Sequence, residues 1–303
     1  MKNSQKQEIA KALSKYVAAR PSAKSASNTL INVSSATISQ VLNGNWDHIS
    51  ENMWRTINAQ VAPVADWEIV KTATYIRLTQ LLTDAQKYHN VFAVTGSAGC
   101  GKTVALKHYA MNHKNAHLVQ CNEYWNRKYF LIEIMRVMGR DASGLTVNEI
   151  MGEVVRQLKM QESPLIILDE ADKLSDQVLY FFITLYNALE DHCGIVLAAT
   201  DHLEKRLKKG LRLNKKGYNE IFSRIGRKCI ELNEIGYADI TQVCMANGIT
   251  GRAEIKKIIN GTEQDLRRVK RQIHALQQKA MTSPEIAETE EILQDIENPV
   301  TAH

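Results

Sequence analysis

Eight consecutive residues, Gly96-Ser97-Ala98-Gly99-Cys100-Gly101-Lys102-Thr103, carry the densest chemistry in this chain. They match G-x-x-x-x-G-K-[ST], and they stand between an apolar run, VFAVT, and an amphipathic helical pattern. Glycines let such a loop curl so that its backbone N–H groups face phosphate oxygens, and the helix behind it adds the positive end of its dipole. Lys102 is expected to reach the β- and γ-phosphates of ATP, and the Thr103 hydroxyl to ligate Mg²⁺. About sixty residues on, Leu165-Ile166-Ile167-Leu168-Asp169-Glu170 reads as a buried strand releasing two carboxylates at its end. Asp169 would hold Mg²⁺ through water, and Glu170 would orient and polarise the attacking water.

Three further positions suit the same chemistry. Thr200 ends the run Gly194 to Thr200 and would hydrogen-bond the attacking water or the γ-phosphate, or else cap the following helix. Arg224, in Phe222-Ser223-Arg224-Ile225, would reach a γ-phosphate bound by a neighbouring copy, with Arg227 as the second choice; an internal salt bridge is the bland alternative. Arg267, in Asp265-Leu266-Arg267-Arg268, would sense the same phosphate from a C-terminal helix.

Two stretches point to DNA. In Asn32 to Gly44, Asn32 suits a left-handed turn and Ser34 suits a helix N-cap. Ile38, Val41 and Leu42 would then face a core, leaving Ser35, Ala36, Thr37, Ser39 and Gln40 outward, as on a recognition helix. The preceding helix would span about 25–31, and a three-helix interaction module is the competing reading. The second stretch, Glu204 to Lys216, is read as a loop with seven bases, Lys205, Arg206, Lys208, Lys209, Arg212, Lys215 and Lys216, against one acid. Such a loop would meet phosphates without sequence preference, unless it is only a solvated surface.

These groups need elements to hold them. Apolar runs at Val91 to Thr95, His117 to Cys121, Leu165 to Asp169, Ile195 to Thr200 and Lys228 to Leu232 alternate with helical patterns, as in a parallel α/β sheet. Thr146-Val147-Asn148-Glu149 is a capping box opening a helix to about Glu162. Residues 1–60 read as an all-helical helix-turn-helix domain with stops at Pro21 and Asn43-Gly44, and 61–89 as a linker (with Pro63) and a helix. The α/β core would span 90–234. A helical lid, broken at Gly248, Gly251 and Gly261, would span 235–282, and 283–303 would be an acidic tail without fixed structure.

Composition sets the outer limits. At 44% hydrophobic and 23% charged residues, the chain has an ordinary globular make-up. No run approaches the roughly 18 apolar residues of a membrane span, and MKNSQKQEIAKAL does not look like a secretory signal. Five scattered cysteines without a C-x-x-C pair fit a reducing cytoplasm better than disulfides or zinc. The net charge is +5, yet 283–303 holds six acids and no Lys or Arg, so residues 1–282 carry +11. A basic body suggests an anionic partner, with double-stranded DNA the foremost one.

Taken together, these motifs resemble the family of the phage Mu B protein, the target-DNA-activating AAA+ ATPases of transposition. The resemblance runs from Ala36-Thr37-Ile38-Ser39-Gln40-Val41-Leu42-Asn43 through the phosphate loop, Ile166 to Asp172 and Gly194 to Leu197, to Phe222-Ser223-Arg224-Ile225 and Leu266-Arg267. It implies an AAA+ P-loop core, ATP-dependent polymerisation on DNA as a helical homo-oligomer, and delivery of target DNA to a transposase that stimulates hydrolysis. The expected setting is the cytoplasm of a bacterial host, with no membrane partner. Two other readings stand beside it: a replication initiator or loader ATPase, and a sequence-specific regulator that uses ATP as a ligand switch.

Overall fold

The computed structural model describes residues 1–18, 20, 22–61 and 67–278. Pro21, Pro63, the last residues of the expected lid and the acidic stretch 283–303 lie outside the described residues. The chain forms two compact units. One gathers Met1–Ala65, Thr74–Ser97 and Gly101–Asn233; the other gathers Asp66–Ala73, Ala98–Cys100 and the chain from Glu234 onward. Among the described residues, no helix is long and apolar enough to cross a membrane.

The first unit is built on five parallel strands, β1 (Val91–Thr95), β2 (Ala116–Gln120), β3 (Leu165–Asp169), β4 (Gly194–Ala199) and β5 (Cys229–Glu231), in the order β2-β3-β4-β1-β5. The central strands are apolar up to their last residues because both faces are covered. Ile166 and Leu168 of β3 face one core with Ile195, Leu197 and Ala199 of β4; Leu165 and Ile167 face the opposite core with Val196 and Ala198. Helices α7 (Arg127–Val137), α8 (Val147–Lys159) and α9 (Asp176–Leu189) fill the first layer. The second is filled by α5 (Ala73–Tyr88) and α6 (Lys102–Asn112). Leu78, Leu81, Leu82 and Ala85 place α5 inside that core. The capping box at Thr146 and Glu149 opens α8 as expected, and the helix ends at Lys159.

The same unit includes four N-terminal helices, α1 (Asn3–Ala18), α2 (Ala23–Thr29), α3 (Ser35–Leu42) and α4 (Glu51–Val61), around Leu13, Ala26, Ile38, Val41, Trp54 and Ile57. Between α2 and α3, Asn32 takes the left-handed conformation at φ 58°. Ser34 caps α3 by accepting the Thr37 N–H at 3.0 Å. Leu42 departs from expectation: it is exposed at the end of α3, while Trp46 and Trp54, edge to face at 5.5 Å, join the cluster that holds Val41.

Glu204 to Lys216 is not a loop. Most of it lies in α10 (Asp201–Arg212), whose Leu203, Leu207 and Leu211 are spaced to bury one face. Another helix, α11 (Tyr218–Arg224), follows. The second unit holds α12 (Tyr237–Ala246), α13 (Arg252–Thr262) and a helix over 266–278 around Ile240, Cys244, Ile258, Val269 and Ile273. Gly261 lies within α13 rather than breaking it.

Helices α9, α10 and α11 are tied by one carboxylate. Asp176 accepts hydrogen bonds from Arg206 Nε at 3.1 Å, Tyr218 Oη at 2.7 Å and Lys215 Nζ at 3.2 Å. Burial works against its charge, but the Tyr218, Arg206 and Lys215 bonds outweigh that and hold the group at about 2. A carboxyl depressed on folding adds stability above its ordinary value and loses it as pH falls toward the folded value. Asp176→Asn is therefore expected to cost about 1 kcal/mol at neutral pH, discounted for the half-exposed carboxylate. Urea unfolding of wild type and variant at pH 7, 5, 4 and 3 should show that gap narrowing below pH 4; a gap constant down to pH 3 would exclude Asp176 as its source.

Candidate functional site

The phosphate loop leaves the C-terminal end of β1 and enters α6. Gly99 and Gly101 both have left-handed backbones, at φ 81° and 91°. Gly101 is the N-cap of α6 and supplies no side-chain cap, so the first-turn N–H groups are open to an anion. Lys102, buried, donates to the carbonyls of Gly96 at 2.8 Å and Ser97 at 2.9 Å. Its ammonium is thus folded over the loop that would wrap phosphate. Ser97 and Ala98 are exposed.

Within the second unit, the crown of the loop, Ala98–Cys100, meets the helix over 266–278. Leu266 N–H donates to the Gly99 carbonyl at 3.0 Å. A Cβ added at Gly99 would lie 2.2 Å from Asp265 Oδ1. The Cys100 side chain is packed among Ile235, Ile240 and Ile258, so only its backbone is available to a ligand. Arg267 is exposed, its N–H donating to Asp265 Oδ1 at 2.7 Å.

At the end of β3, Asp169 is nearly fully buried and is met by the phosphate loop. Thr103 Oγ1 donates to Asp169 Oδ2 at 2.8 Å, and the Glu170 N–H donates to Oδ1 at 3.0 Å. Burial pushes the Asp169 carboxyl up, and the Thr103 and Glu170 hydrogen bonds only partly offset it. A buried carboxylate beside a hydroxyl is a ready pair of hard oxygen donors for a small cation. No cluster of three His, Cys, Asp or Glu side chains exists among the described residues. That donor set suits Mg²⁺, which keeps water and phosphate oxygens in most of its positions, better than a metal caged by protein. The residues present fit Mg–nucleotide.

Glu170 has a left-handed backbone at φ 56°, and its Oε2 accepts from Lys173 Nζ at 2.8 Å. Thr200 stands at the N-cap of α10 without a side-chain cap hydrogen bond: its Oγ1 donates instead to Asp172 Oδ2 at 2.9 Å. A flanking acid has claimed it. Arg224 also departs from the expected outward reach. Its guanidinium lies 4.8 Å from the Tyr186 ring centre, and Nη1 is 3.8 Å from Glu190 Oε1, so both contacts turn it onto the end of α9. Among the described residues, its buried Nε has no hydrogen-bond partner. Arg227 is exposed, on a left-handed residue at φ 58°.

The DNA-facing expectations divide in the same way. Ser35, Ala36, Ser39 and Gln40 are exposed on α3, whereas Thr37 is half-buried with its hydroxyl 2.9 Å from that of Ser34. Arg206 is structural, bonded to Asp176 and donating to the Leu174 carbonyl. Its planar fork needs several acceptors, and the core edge provides them. Lys205 pairs with Asp201, Lys208 with Glu204 and Lys215 with Asp176. Lys209, Arg212 and Lys216 are exposed and have no ion pair among the described residues.

Four residues missed by sequence reasoning share the sheet edge with the loop and Asp169. The β2–α7 connection is anchored by buried Trp125, and Asn126 caps α7 by accepting the Tyr129 N–H at 3.0 Å. Phe130, Leu131 and Ile134 bury the inner face of α7. Arg127, Lys128, Tyr124 (73% exposed) and Tyr129 (55%) are left at the surface. Bases interleaved with exposed aromatics at a strand's C-terminal end were the available signal.

A family model described as an AAA domain matches residues 85–207. The chain is 27% identical over 191 residues to the Mu-like prophage FluMu DNA transposition protein B of Haemophilus influenzae, covering 63% of this chain and 65% of that protein. Among solved structures, it is similar to the Aeropyrum pernix ORC1 protein in complex with DNA, with a TM-score of 0.46 and 16% identity over 68% of this chain and 59% of that one. The chain thus spans 65% of the length of the first of these proteins and 59% of the second.

Gly99 gives the sharpest test of the loop. Gly99→Ala is expected to weaken nucleotide binding by at least about tenfold, since the side chain must both adopt positive φ and displace Asp265. Titration with a fluorescent ATP analogue measures this, and circular dichroism should show the helix content unchanged. Wild-type affinity in Gly99→Ala would mean that the loop crown does not shape the site.

Proposed function

We propose that this Mu B-like AAA+ protein is an ATPase that assembles on duplex DNA and delivers target DNA to a transposase. The observation that carries the reading is the Thr103–Asp169 hydrogen bond, which joins a complete phosphate loop to the acidic end of β3. Bound Mg–ATP would supply the reactive anhydride and a cation to neutralise its oxygens. Lys102 would exchange two neutral carbonyls for phosphate oxygens, a stronger charge-assisted bond. Thr103 and Asp169 would hold the cation, and Glu170 would orient the attacking water.

In this reading an arginine from the next copy completes the site. Arg227 is the better placed of the two, because Arg224 must first leave Tyr186 and Glu190. Head-to-tail contacts that do not close would give a helical filament along DNA, in the host cytoplasm. Residues 1–60 would be a DNA-facing module, 90–234 the ATPase core and 235–282 the lid, with Arg267 exposed on it.

The DNA surface is assigned to Tyr124, Arg127, Lys128 and Tyr129 together with Lys209, Arg212 and Lys216. Support comes from their exposure, and from the similar Haemophilus protein being named for DNA transposition. Regulation at a specific operator is the second reading, favoured by the cap at Ser34 and the exposed Ser35, Ser39 and Gln40. It predicts roughly 4–10 kcal/mol of preference for one sequence over random DNA.

Binding to random-sequence duplex with ATP, ADP or no nucleotide, across a salt series and under the electron microscope, separates the two. ATP-dependent, sequence-indifferent filaments are expected; small complexes on one preferred sequence, indifferent to ATP, would overturn the proposal. Arg127→Ala and Lys128→Ala should each lower the log–log salt slope by about 0.9. Arg206→Ala should lower stability and leave that slope in place. Glu170→Gln should abolish turnover while preserving ATP-dependent assembly.

A further inference from the structure

The second unit carries more positive charge than its own acids answer. From Tyr237 to Gln278 it holds seven Lys and Arg residues against four Asp and Glu. One of the seven, Arg268, is ion-paired, reaching Glu263 at 2.8 Å. Two of the other acids serve the backbone: Asp239 accepts the N–H groups of Gly236 and Ala73, and Asp265 accepts that of Arg267. Arg252, Lys256, Lys257, Arg267 and Arg271 are exposed and have no ion pair among the described residues.

Helical spacing gathers part of this charge on one face. On the helix over 266–278, Val269 and Ile273 turn inward, while Arg267, Lys270, Arg271 and His274 recur at intervals of three and four residues. Trp67 closes one flank: its ring centre lies 4.9 Å from Lys270 Nζ and 5.9 Å from the His274 ring, edge to face. An aromatic ring draws a lysine in without neutralising it.

The sequence that follows this helix is complementary to it. Residues 283–303 hold six acids and no Lys or Arg, and the first of them, Glu285, comes seven residues after Gln278. Seven residues span at most about 25 Å, whereas the helix from Gln278 back to Arg267 is about 17 Å long. Glu285 is therefore within reach of every base on the face, and the acids up to Glu297 are enough to line it. Covalent attachment gives such a segment a local concentration on the order of millimolar, against which any free polyanion must compete.

We propose that the acidic stretch Glu285–Glu297 folds back onto the Arg267–Lys270–Arg271 face of its own chain and screens those cations from other polyanions. As an internal competitor it would weaken binding to duplex DNA, a consequence that rests on the DNA reading above. Each exposed ion pair shifts an equilibrium by no more than about five-fold, so the seating depends on several pairs together and yields to salt.

The seating is tested by carbodiimide crosslinking of the full chain, mixed from ¹⁴N- and ¹⁵N-labelled copies and read by mass spectrometry. The Lys208–Glu204 pair, at 2.7 Å, serves as the internal control. At low salt Lys270 should link to carboxylates of Glu285–Glu297 within one copy. At 1 M salt, where the Debye length falls to about 3 Å, that link should fade relative to the control. Arg271→Glu should cut its yield about five-fold, since the change removes one exposed pair and adds a repulsion. Control links without any from Lys270, links only between differently labelled copies, or a yield indifferent to both salt and Arg271→Glu would each overturn the proposal.

The consequence is read from binding to random-sequence duplex at about 0.1 M salt. A full-length variant carrying Glu285→Gln, Glu288→Gln, Glu290→Gln, Glu291→Gln, Asp295→Asn and Glu297→Gln should bind about ten-fold tighter than wild type, with a steeper salt slope. Equal affinity would overturn the competition with DNA, while the crosslinks decide the seating. No binding by either chain would bring down the DNA reading and the competition with it, and the crosslinks would still decide the seating.

Discussion

The arrangement of this protein's candidate site follows from a sheet whose central strands are covered on both faces. Strands β3 and β4 are buried from end to end, and β3 is apolar up to its last residue, Asp169, so the chain presents polar groups where the strands stop. In a parallel sheet all the C-terminal ends lie on one edge. The phosphate loop after β1, the acids ending β3, Thr200 after β4 and the Tyr124–Tyr129 segment after β2 are therefore neighbours by topology. The Thr103–Asp169 bond joins two of these ends. It is also what makes a cation a natural occupant: the Asp169 carboxyl is buried, pushed up by that burial, and hydrogen-bonded by the Thr103 hydroxyl and the Glu170 backbone N–H.

Legibility in the sequence tracked the physical origin of each feature. The strands were readable because double-sided burial demands continuous apolar runs, and their ends were readable because a carboxylate or hydroxyl cannot continue such a run. The phosphate loop was readable because its glycines answer a backbone requirement that other residues meet poorly. The caps at Ser34 and Thr146 were readable for the same local reason. What sequence alone did not reveal was partner choice. Thr200, Arg206 and Arg224 each have the right type for ligand chemistry, yet Asp172, Asp176 and the Tyr186–Glu190 pair hold them. Those partners lie 28 to 38 residues away along the chain, brought close by packing that no local pattern records.

The basic stretch shows the same limit from the side of secondary structure. Seven bases over Glu204 to Lys216 looked like a loop because charge dominated the pattern, while Leu203, Leu207 and Leu211 carried the weaker helical signal. Once the stretch is a helix, Asp201 and Glu204 fall four residues before Lys205 and Lys208 and pair with them. A count of bases therefore overstates the free positive charge, and position corrects it. Lys209 and Arg212 stay open because α10 turns them away from those acids, and Lys216, beyond the end of the helix, lies 5.4 Å from the Tyr180 ring centre.

The same accounting bears on the two arginines. A guanidinium held by an aromatic face and a carboxylate, with one buried N–H unsatisfied, is not a comfortable structural residue. The orphaned Nε of Arg224 lacks a hydrogen bond that a fully structural arginine would have, and a buried donor left unmade is costly. Arg227 has no such deficit, but it occupies a left-handed backbone that non-glycine residues rarely adopt. Gly226, immediately before it, is also at positive φ, so the chain makes two successive unusual turns between α11 and β5. In the assembly proposed above, a segment under both constraints would be a natural place for a side chain to be redirected. An assembly that gave the Arg224 Nε an acceptor would lower its own energy and, in the same step, bring this segment's cations toward a neighbouring phosphate.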